Sequence, residues 1–273
     1  MINLIDCVEK YKNDGLDEIY ANAKVCQDVI LTCIFKSRYK NNITIKGGIV
    51  MFNLTNDLRR ATVDIDIDLI RISIADSKIH EIFNDVKIRG LDIDVDVKNI
   101  LELRHQDYRG KRIPIEINDT FGNKLSTKID IGVHSKYNIL QDELCFNTSI
   151  EKDGLNLLVN SKEQIFVEKI IPIIRFGAVT TRYKDFFDLY WLIEDNDMDK
   201  DKLHTIMQEK IFFLGINDIN NINEIINLLG EMLNNPKFIK LLMDRKNNWL
   251  DIKIDLLRKV IIDYLNSLVT VEV

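Results

Sequence analysis

Two neighbouring stretches of the chain combine the residue types that phosphate and metal chemistry needs. Gly47 and Gly48 follow a short apolar run, and a Gly-Gly turn at the end of a strand lets backbone amides approach a phosphate. Further on, Asp64, Asp66 and Asp68 alternate with apolar residues, so that in a strand all their carboxylates project from one face. An anion cradle beside a row of carboxylates suits metal-assisted nucleotide chemistry. The pattern favours a nucleotidyltransferase.

Acidic alternation alone is a weak signal, and the chain contains its own control. Asp92, Asp94 and Asp96 repeat the pattern without a preceding Gly-Gly turn, and we expect them to lie on a solvated strand face. Carboxylates held about 4 Å apart repel each other by about 1 kcal/mol in water and about 4 kcal/mol at an effective dielectric constant of 20. A Mg²⁺ ion removes that repulsion, because it binds one or two carboxylates together with substrate phosphates.

The elements that must position these residues change character along the chain. Strands are predicted at 42–45, 63–70, 91–97, 112–118 and 128–133, with helices at 16–35, 49–58 and 77–86. Helices are then predicted at 165–174, 184–194, 202–213, 219–233, 236–243 and 251–268. Ser161 and Gln164 form a capping box before the first of these, and Pro172 is expected to kink or shorten it. The sequence predicts an α+β fold with a mixed α/β lobe over residues 1–150 and a helical lobe over 151–273.

Composition sets the broad class of the protein. Of the 273 residues, 46% are hydrophobic and 29% are charged, which is typical of a packed soluble protein. The net charge of −6 gives no general attraction to nucleic acid, so an RNA partner would need a local basic patch. The cysteines lack CxxC spacing and indicate reduced thiols in a cytoplasmic protein. No apolar run approaches the ~20 residues of a membrane span, so no membrane association is expected.

Two blocks of the sequence, in the same order, resemble the AbiEii/AbiGii toxin family. They are Lys46-Gly47-Gly48 followed by Arg60-x-Thr62-x-Asp64-Ile65-Asp66, and Glu168-Lys169 followed by Arg182-x-Lys184-Asp185-Phe186-x-Asp188-Leu189. The resemblance covers about residues 40–195. It implies a polymerase-β-like nucleotidyltransferase core, a mixed sheet flanked by helices, followed by a helical lobe. It also implies a type IV toxin of phage abortive infection, encoded beside an antitoxin, that moves a nucleotide from an NTP to an acceptor, expected to be the 3′ end of tRNA.

The resemblance, together with the chemistry of the side chains, assigns roles to individual residues. Mg²⁺ would be held by Asp64, Asp66 and Asp130, and Asp130 would also accept the proton of the acceptor hydroxyl. Lys169 and Asp185 complete the expected catalytic set. Nucleotide binding is assigned to Lys46, Gly47, Gly48, Thr62, Lys169, Arg182 and Asp188.

Several alternatives stay open at this stage. Lys169 either contacts the triphosphate or forms an ion pair with Asp185 or Asp188 between adjacent helices. Asp68 either supports the metal ligands or is solvated. The basic segment around Tyr108, which comprises Arg104, Arg109, Lys111 and Arg112, is either an RNA contact or a solvated turn. The acceptor could instead be a protein or a small molecule such as an antibiotic, and a non-catalytic nucleotide-binding module is the alternative outside enzymes.

Overall fold

The computed structural model describes residues 1–84, 93–103, 110–134 and 141–269. The chain forms two compact units, Met1–Asn160 and Ser161–Val273. The division falls after the boundary predicted at residue 150, because a strand at Leu155–Val159 pairs with the first strand of the sheet. A mixed sheet in the first unit and helices in the second confirm the predicted α+β class.

The first unit is built on one mixed sheet. Its helices are α1 (Leu4–Asn13), α2 (Glu18–Lys36), α3 (Gly48–Thr55) and α4 (Asp76–Asn84). Its strands are β1 (Ile43–Lys46), β2 (Ile65–Leu69), β3 (Ile93–Val97), β4 (Leu101–Leu103), β5 (Gly110–Asp119), β6 (Lys124–Val133), β7 (Asp142–Phe146) and β8 (Leu155–Val159). Among the described residues the strand order is β3-β5-β6-β2-β1-β8-β7, with β4 also paired to β5. β2 pairs with β6, and β1 with β8, in parallel.

Alternating apolar side chains fix the register of the central strands. In β2, Ile65, Ile67 and Leu69 are 0 to 1% exposed, so a slip by one residue would turn this apolar face to water. The second acidic stretch behaves differently, because Asp94 and Asp96 are exposed on β3. The predicted solvated face is confirmed at these positions, and Asp92 lies outside the described residues.

The second unit is helical. It contains α5 (Lys162–Phe176), α6 (Tyr183–Glu194), α7 (Lys200–Met207), α8 (Ile222–Asn234), α9 (Pro236–Leu242) and α10 (Ile254–Val269). The capping box of Ser161 and Gln164 is confirmed at the start of α5. Pro172 does not end this helix, which continues to Phe176 and stops at Gly177, where φ is +50°. None of the helices within the described ranges combines the length and apolar character that crossing a bilayer requires.

Candidate active site

The turn between β1 and α3 lies tightly against the residues that precede and form β2. Gly47 has φ +68° and ψ −142°, a conformation that residues with a Cβ rarely adopt. A Cβ on Gly47 would lie 2.6 Å from Asp66 Oδ2, and one on Gly48 would lie 2.8 Å from Thr62 Oγ1. Both positions therefore need glycine because side chains approach them closely. Gly47 gives α3 no side-chain cap, and the first amides of a helix attract phosphate.

A row of charged side chains crosses four strands beside this turn. Asp66 on β2 pairs in register with Asp130 on β6. Lys46 on β1 is opposite Asp66, and Arg112 on β5 is opposite Asp130. Directly paired residues of neighbouring strands project from the same face. Lys46, Asp66, Asp130 and Arg112 thus form one line, which we call the cross-strand row, and Asp64 lies two residues before Asp66.

Two lysines contact the acidic residues that flank the cross-strand row. Lys46 Nζ lies 2.8 Å from Asp68 Oδ1, with both side chains largely buried. Lys128 Nζ lies 3.4 Å from Asp64 Oδ1 in a more exposed pair. Asp68 is 5% exposed, so it is not the solvated acid that one sequence alternative described. Its carboxylate instead supports Lys46 next to the Gly-Gly turn.

Arg112 holds Asp130 with a forked pair of hydrogen bonds. Arg112 Nε donates to Asp130 Oδ1 and Nη2 donates to Asp130 Oδ2, each at 2.7 Å. The hydrogen bond to Asp130 raises the pKa of Arg112, and the carboxylates of Asp64 and Asp66 contribute to the same shift. The guanidinium therefore lies within the electrostatic field of the predicted metal ligands.

The donor set fits a divalent cation that also takes ligands from its substrate. Mg²⁺ prefers oxygen and binds through one or two carboxylates plus phosphates, and Asp66 and Asp130 provide two carboxylates in register. Over the described ranges, no three acidic, histidine or cysteine side chains are already gathered as metal ligands. The described residues therefore offer two paired carboxylates, Asp66 and Asp130, as candidate ligands of a divalent cation.

A buried glutamine holds the segment that leads into β2. Gln27 Nε2 on α2 donates to the backbone oxygen of Thr62 at 2.8 Å, and Gln27 is 2% exposed. Thr62 Oγ1 in turn accepts a hydrogen bond of 3.4 Å from Asp64 N. The contact positions Thr62 against Gly48. No sequence signal marked Gln27, which lies in an apolar helix far from the motif along the chain.

The second motif forms a buried polar cluster within the helical unit. Lys169 Nζ on α5 lies 2.9 Å from Asp185 Oδ1 and 2.5 Å from Asp188 Oδ2 on α6. Trp249 Nε1 donates to Asp188 Oδ1 at 3.1 Å. Lys169, Asp185 and Asp188 are 7%, 9% and 0% exposed. The ion pair that the sequence left as an alternative is therefore present. Arg182 Nη1 lies 3.9 Å from Asp185 Oδ2, and its side chain is 61% exposed.

The basic segment near Tyr108 is only partly described. Residues 104–109 lie outside the described ranges. Lys111 forms an ion pair with Asp76, while Arg112 belongs to the cross-strand row. The part of this segment that the structure describes is thus engaged with acidic residues of the protein itself.

Comparison with known proteins now adds to the geometry. A family model described as "Nucleotidyl transferase AbiEii toxin, Type IV TA system" matches residues 29–260. The chain belongs to this family. The match includes the whole cross-strand row and the polar cluster on α5 and α6. The resemblance inferred from the two sequence blocks is confirmed, and the chain is a nucleotidyltransferase of the type IV toxin family.

Other comparisons add little to this assignment. A comparison with curated proteins gives no match. Among solved structures, the chain is similar to an antigenic nucleotidyltransferase-like protein from Paracoccidioides brasiliensis. The two share 16% sequence identity over 69% of this chain and 88% of that chain, with a TM-score of 0.43.

Proposed function

We propose that the protein is a Mg²⁺-dependent toxin that transfers a nucleotide from an NTP to the 3′ end of tRNA in a phage abortive infection system. The observation that carries the proposal is the register of Asp66 and Asp130 directly beside Gly47. This arrangement puts two carboxylates next to backbone amides suited to phosphate. The family membership supports the nucleotide and toxin parts of the proposal, and a cognate antitoxin is the expected partner in the cytoplasm.

The glycine turn is proposed to bind the triphosphate through backbone amides. Gly47 and Gly48 leave no side chain between the start of α3 and the neighbouring residues Asp66 and Thr62. A phosphate at this position would be attracted by the backbone amides and the positive end of the helix dipole in the first helical turn. Lys46, which is directly opposite Asp66, adds a positive charge on the same face, and Thr62 supports Gly48 from the other side.

The acidic residues are proposed to hold the metal and to move one proton. Mg²⁺ bound by Asp64, Asp66 and Asp130 would neutralise charge on the phosphates during transfer. Asp130 would accept the proton of the acceptor hydroxyl, whose oxygen forms a bond to the α-phosphorus. The bond from that phosphorus to the bridging oxygen breaks, and pyrophosphate leaves with the electron pair. Asp130 is in register with Asp66 and accepts one hydrogen bond from Arg112 on each oxygen, which leaves a lone pair on each oxygen to take the proton.

For the helical unit we propose that the buried cluster fixes the position of the Lys169 ammonium group. Two carboxylates within 3 Å of Nζ stabilise its charge, since an unpaired buried ammonium would be strongly disfavoured. Lys169 and Asp185 remain proposed catalytic residues. Arg182, with its exposed guanidinium, and Asp188 remain proposed for nucleotide binding, Asp188 by orienting Lys169.

The acceptor can be tested with labelled NTPs. The purified protein is incubated with each α-labelled NTP, Mg²⁺ and total tRNA, and parallel reactions contain cellular protein or aminoglycoside antibiotics. Label at the 3′ end of tRNA that is absent with Asp64→Ala/Asp66→Ala is the expected result. Label that appears only on protein or antibiotic, and that requires Asp64 and Asp66, would replace the tRNA assignment. No transfer to any acceptor would contradict catalysis by this chain.

A further inference from the structure

Arg112 and Asp130 form the most directional ion pair of the cross-strand row. Their backbones are opposite each other in the register of β5 and β6, and two hydrogen bonds of 2.7 Å join both nitrogen donors to both carboxylate oxygens. A forked guanidinium–carboxylate pair fixes the position and also the rotation of the carboxylate. Asp130 is therefore held in one orientation by Arg112.

The forked pair is open enough to come apart. The side chain of Arg112 is 36% exposed and that of Asp130 is 19% exposed. A guanidinium at this depth can turn towards water without becoming a buried unpaired charge. The Lys169 and Asp188 pair in the helical unit is the opposite case, with side chains 8% and 0% exposed.

A divalent cation and Arg112 would compete for the same carboxylate. Asp130 is in register with Asp66, yet the part of the chain that the structure describes contains no assembled group of three metal-ligating side chains. Both Asp130 oxygens already accept a hydrogen bond from the Arg112 guanidinium. Arg112 uses one lone pair of each oxygen, so a metal ion bound to Asp130 would lie beside a guanidinium whose positive charge lowers the metal affinity of the site.

We propose that Arg112 is a positioning residue that acts as an internal counter-ion. In the metal-free protein it holds Asp130 and offsets the repulsion between Asp130 and Asp66. When a divalent cation enters, Arg112 gives up the carboxylate and the metal takes its place. The inference rests on the proposed metal role of Asp64, Asp66 and Asp130 and adds a residue that sets the metal affinity of the site.

Mn²⁺ binding without NTP tests this directly, with free Mn²⁺ measured by electron paramagnetic resonance. Arg112→Gln should bind Mn²⁺ about tenfold more tightly than the wild type, which corresponds to about 1.4 kcal/mol. Arg112→Lys keeps the charge but loses the fork, so its Kd should lie between the two. In Arg112→Gln/Asp130→Asn the gain should disappear, because the released carboxylate is then missing.

Lys124→Gln is the matched control. Lys124 on β6 pairs with Glu116 on β5 at 2.5 Å, so the control removes one positive charge from the same two strands, away from the cross-strand row. Its Kd for Mn²⁺ should equal that of the wild type. Circular dichroism and thermal unfolding verify that each variant folds. If Arg112→Gln does not fold, the Mn²⁺ affinity of Arg112→Lys is compared with that of the wild type instead.

The outcomes separate this inference from the proposed function. Mn²⁺ binding that requires Asp64 and Asp66 but is unchanged or weaker in both Arg112 variants would overturn the role of Arg112 and leave the metal site standing. Equal gains in Arg112→Gln and Lys124→Gln would also overturn it, since a general charge effect would then suffice. Mn²⁺ binding that is insensitive to the acidic residues in every variant would overturn the metal site and the inference together.

Discussion

Substitution of Gly47 by alanine should lower stability through its backbone conformation and lower catalysis through a steric contact with Asp66. Gly47 has φ +68° and ψ −142°, and a residue with a Cβ in such a conformation loses about 1–3 kcal/mol of stability. The new Cβ would also lie 2.6 Å from Asp66 Oδ2, whereas ordinary contact begins at 3.4 Å. The difference requires Asp66 or the turn to move by about 0.8 Å. A misplacement of about 1 Å reduces catalytic rates on the order of 100-fold.

The two effects can be measured independently. Equilibrium unfolding in urea should show a loss of about 1–3 kcal/mol for Gly47→Ala, and kcat/KM for nucleotide transfer should fall on the order of 100-fold. Gly122→Ala is the control, because Gly122 has φ +86° with nothing within 4 Å of the added Cβ. It should lose similar stability and keep its activity. Full activity of Gly47→Ala would refute the reasoning. A loss of kcat/KM in Gly122→Ala equal to that in Gly47→Ala would also refute it.

Three further predictions concern the rest of the molecule. Lys169→Met leaves Asp185 and Asp188 without their shared cation, so urea unfolding should show a loss of about 3–5 kcal/mol, and a loss below about 1 kcal/mol would contradict this. Burial raises the pKa of Asp119, but four hydrogen bonds of 2.8 to 3.0 Å outweigh it and lower that pKa below 3.8. Asp119 therefore stabilises the fold above pH 3.8, and this contribution is lost as the pH falls through the lowered pKa. Asp119→Asn should be less stable at neutral pH and lose less stability on acidification, and parallel pH profiles would count against this. Burial raises the pKa of Cys26 to about 12, so a thiol reagent at pH 8 should modify the exposed Cys145 first, and faster labelling of Cys26 would be inconsistent with the fold.

Local patterns in the sequence predict the strands and the turn on which the candidate site is built. The alternation around Asp66 defines its strand, and the same alternation around Asp130 defines another, because side chains in a strand have period two. Gly47 and Gly48 mark the turn through their residue type alone. Strict alternation was not enough by itself, since Asp94 and Asp96 are exposed on an outer strand. The Gly47-Gly48 turn, which precedes only the first acidic stretch, distinguishes that stretch from the second one.

Contacts that depend on strand pairing could not be predicted. The strands that contain Arg112 and Asp130 were both expected, but nothing local to either fixes which residues are opposite each other. β8 was missed because it is a five-residue strand whose parallel pairing with β1 joins residues more than a hundred positions apart. The hydrogen bond from Trp249 to Asp188 likewise depends on the packing of the helical unit, and no sequence motif predicts this contact.

The proposed nucleotidyl transfer that depends on Asp64 and Asp66 is tested most directly by comparing α-labelled with γ-labelled NTP. The wild-type protein should transfer the α-label to tRNA and release the γ-label as pyrophosphate, with one pyrophosphate for each nucleotide added. Asp64→Ala/Asp66→Ala should do neither. Transfer of the γ-label to the acceptor, or α-label transfer that persists without Asp64 and Asp66, would contradict the central claim.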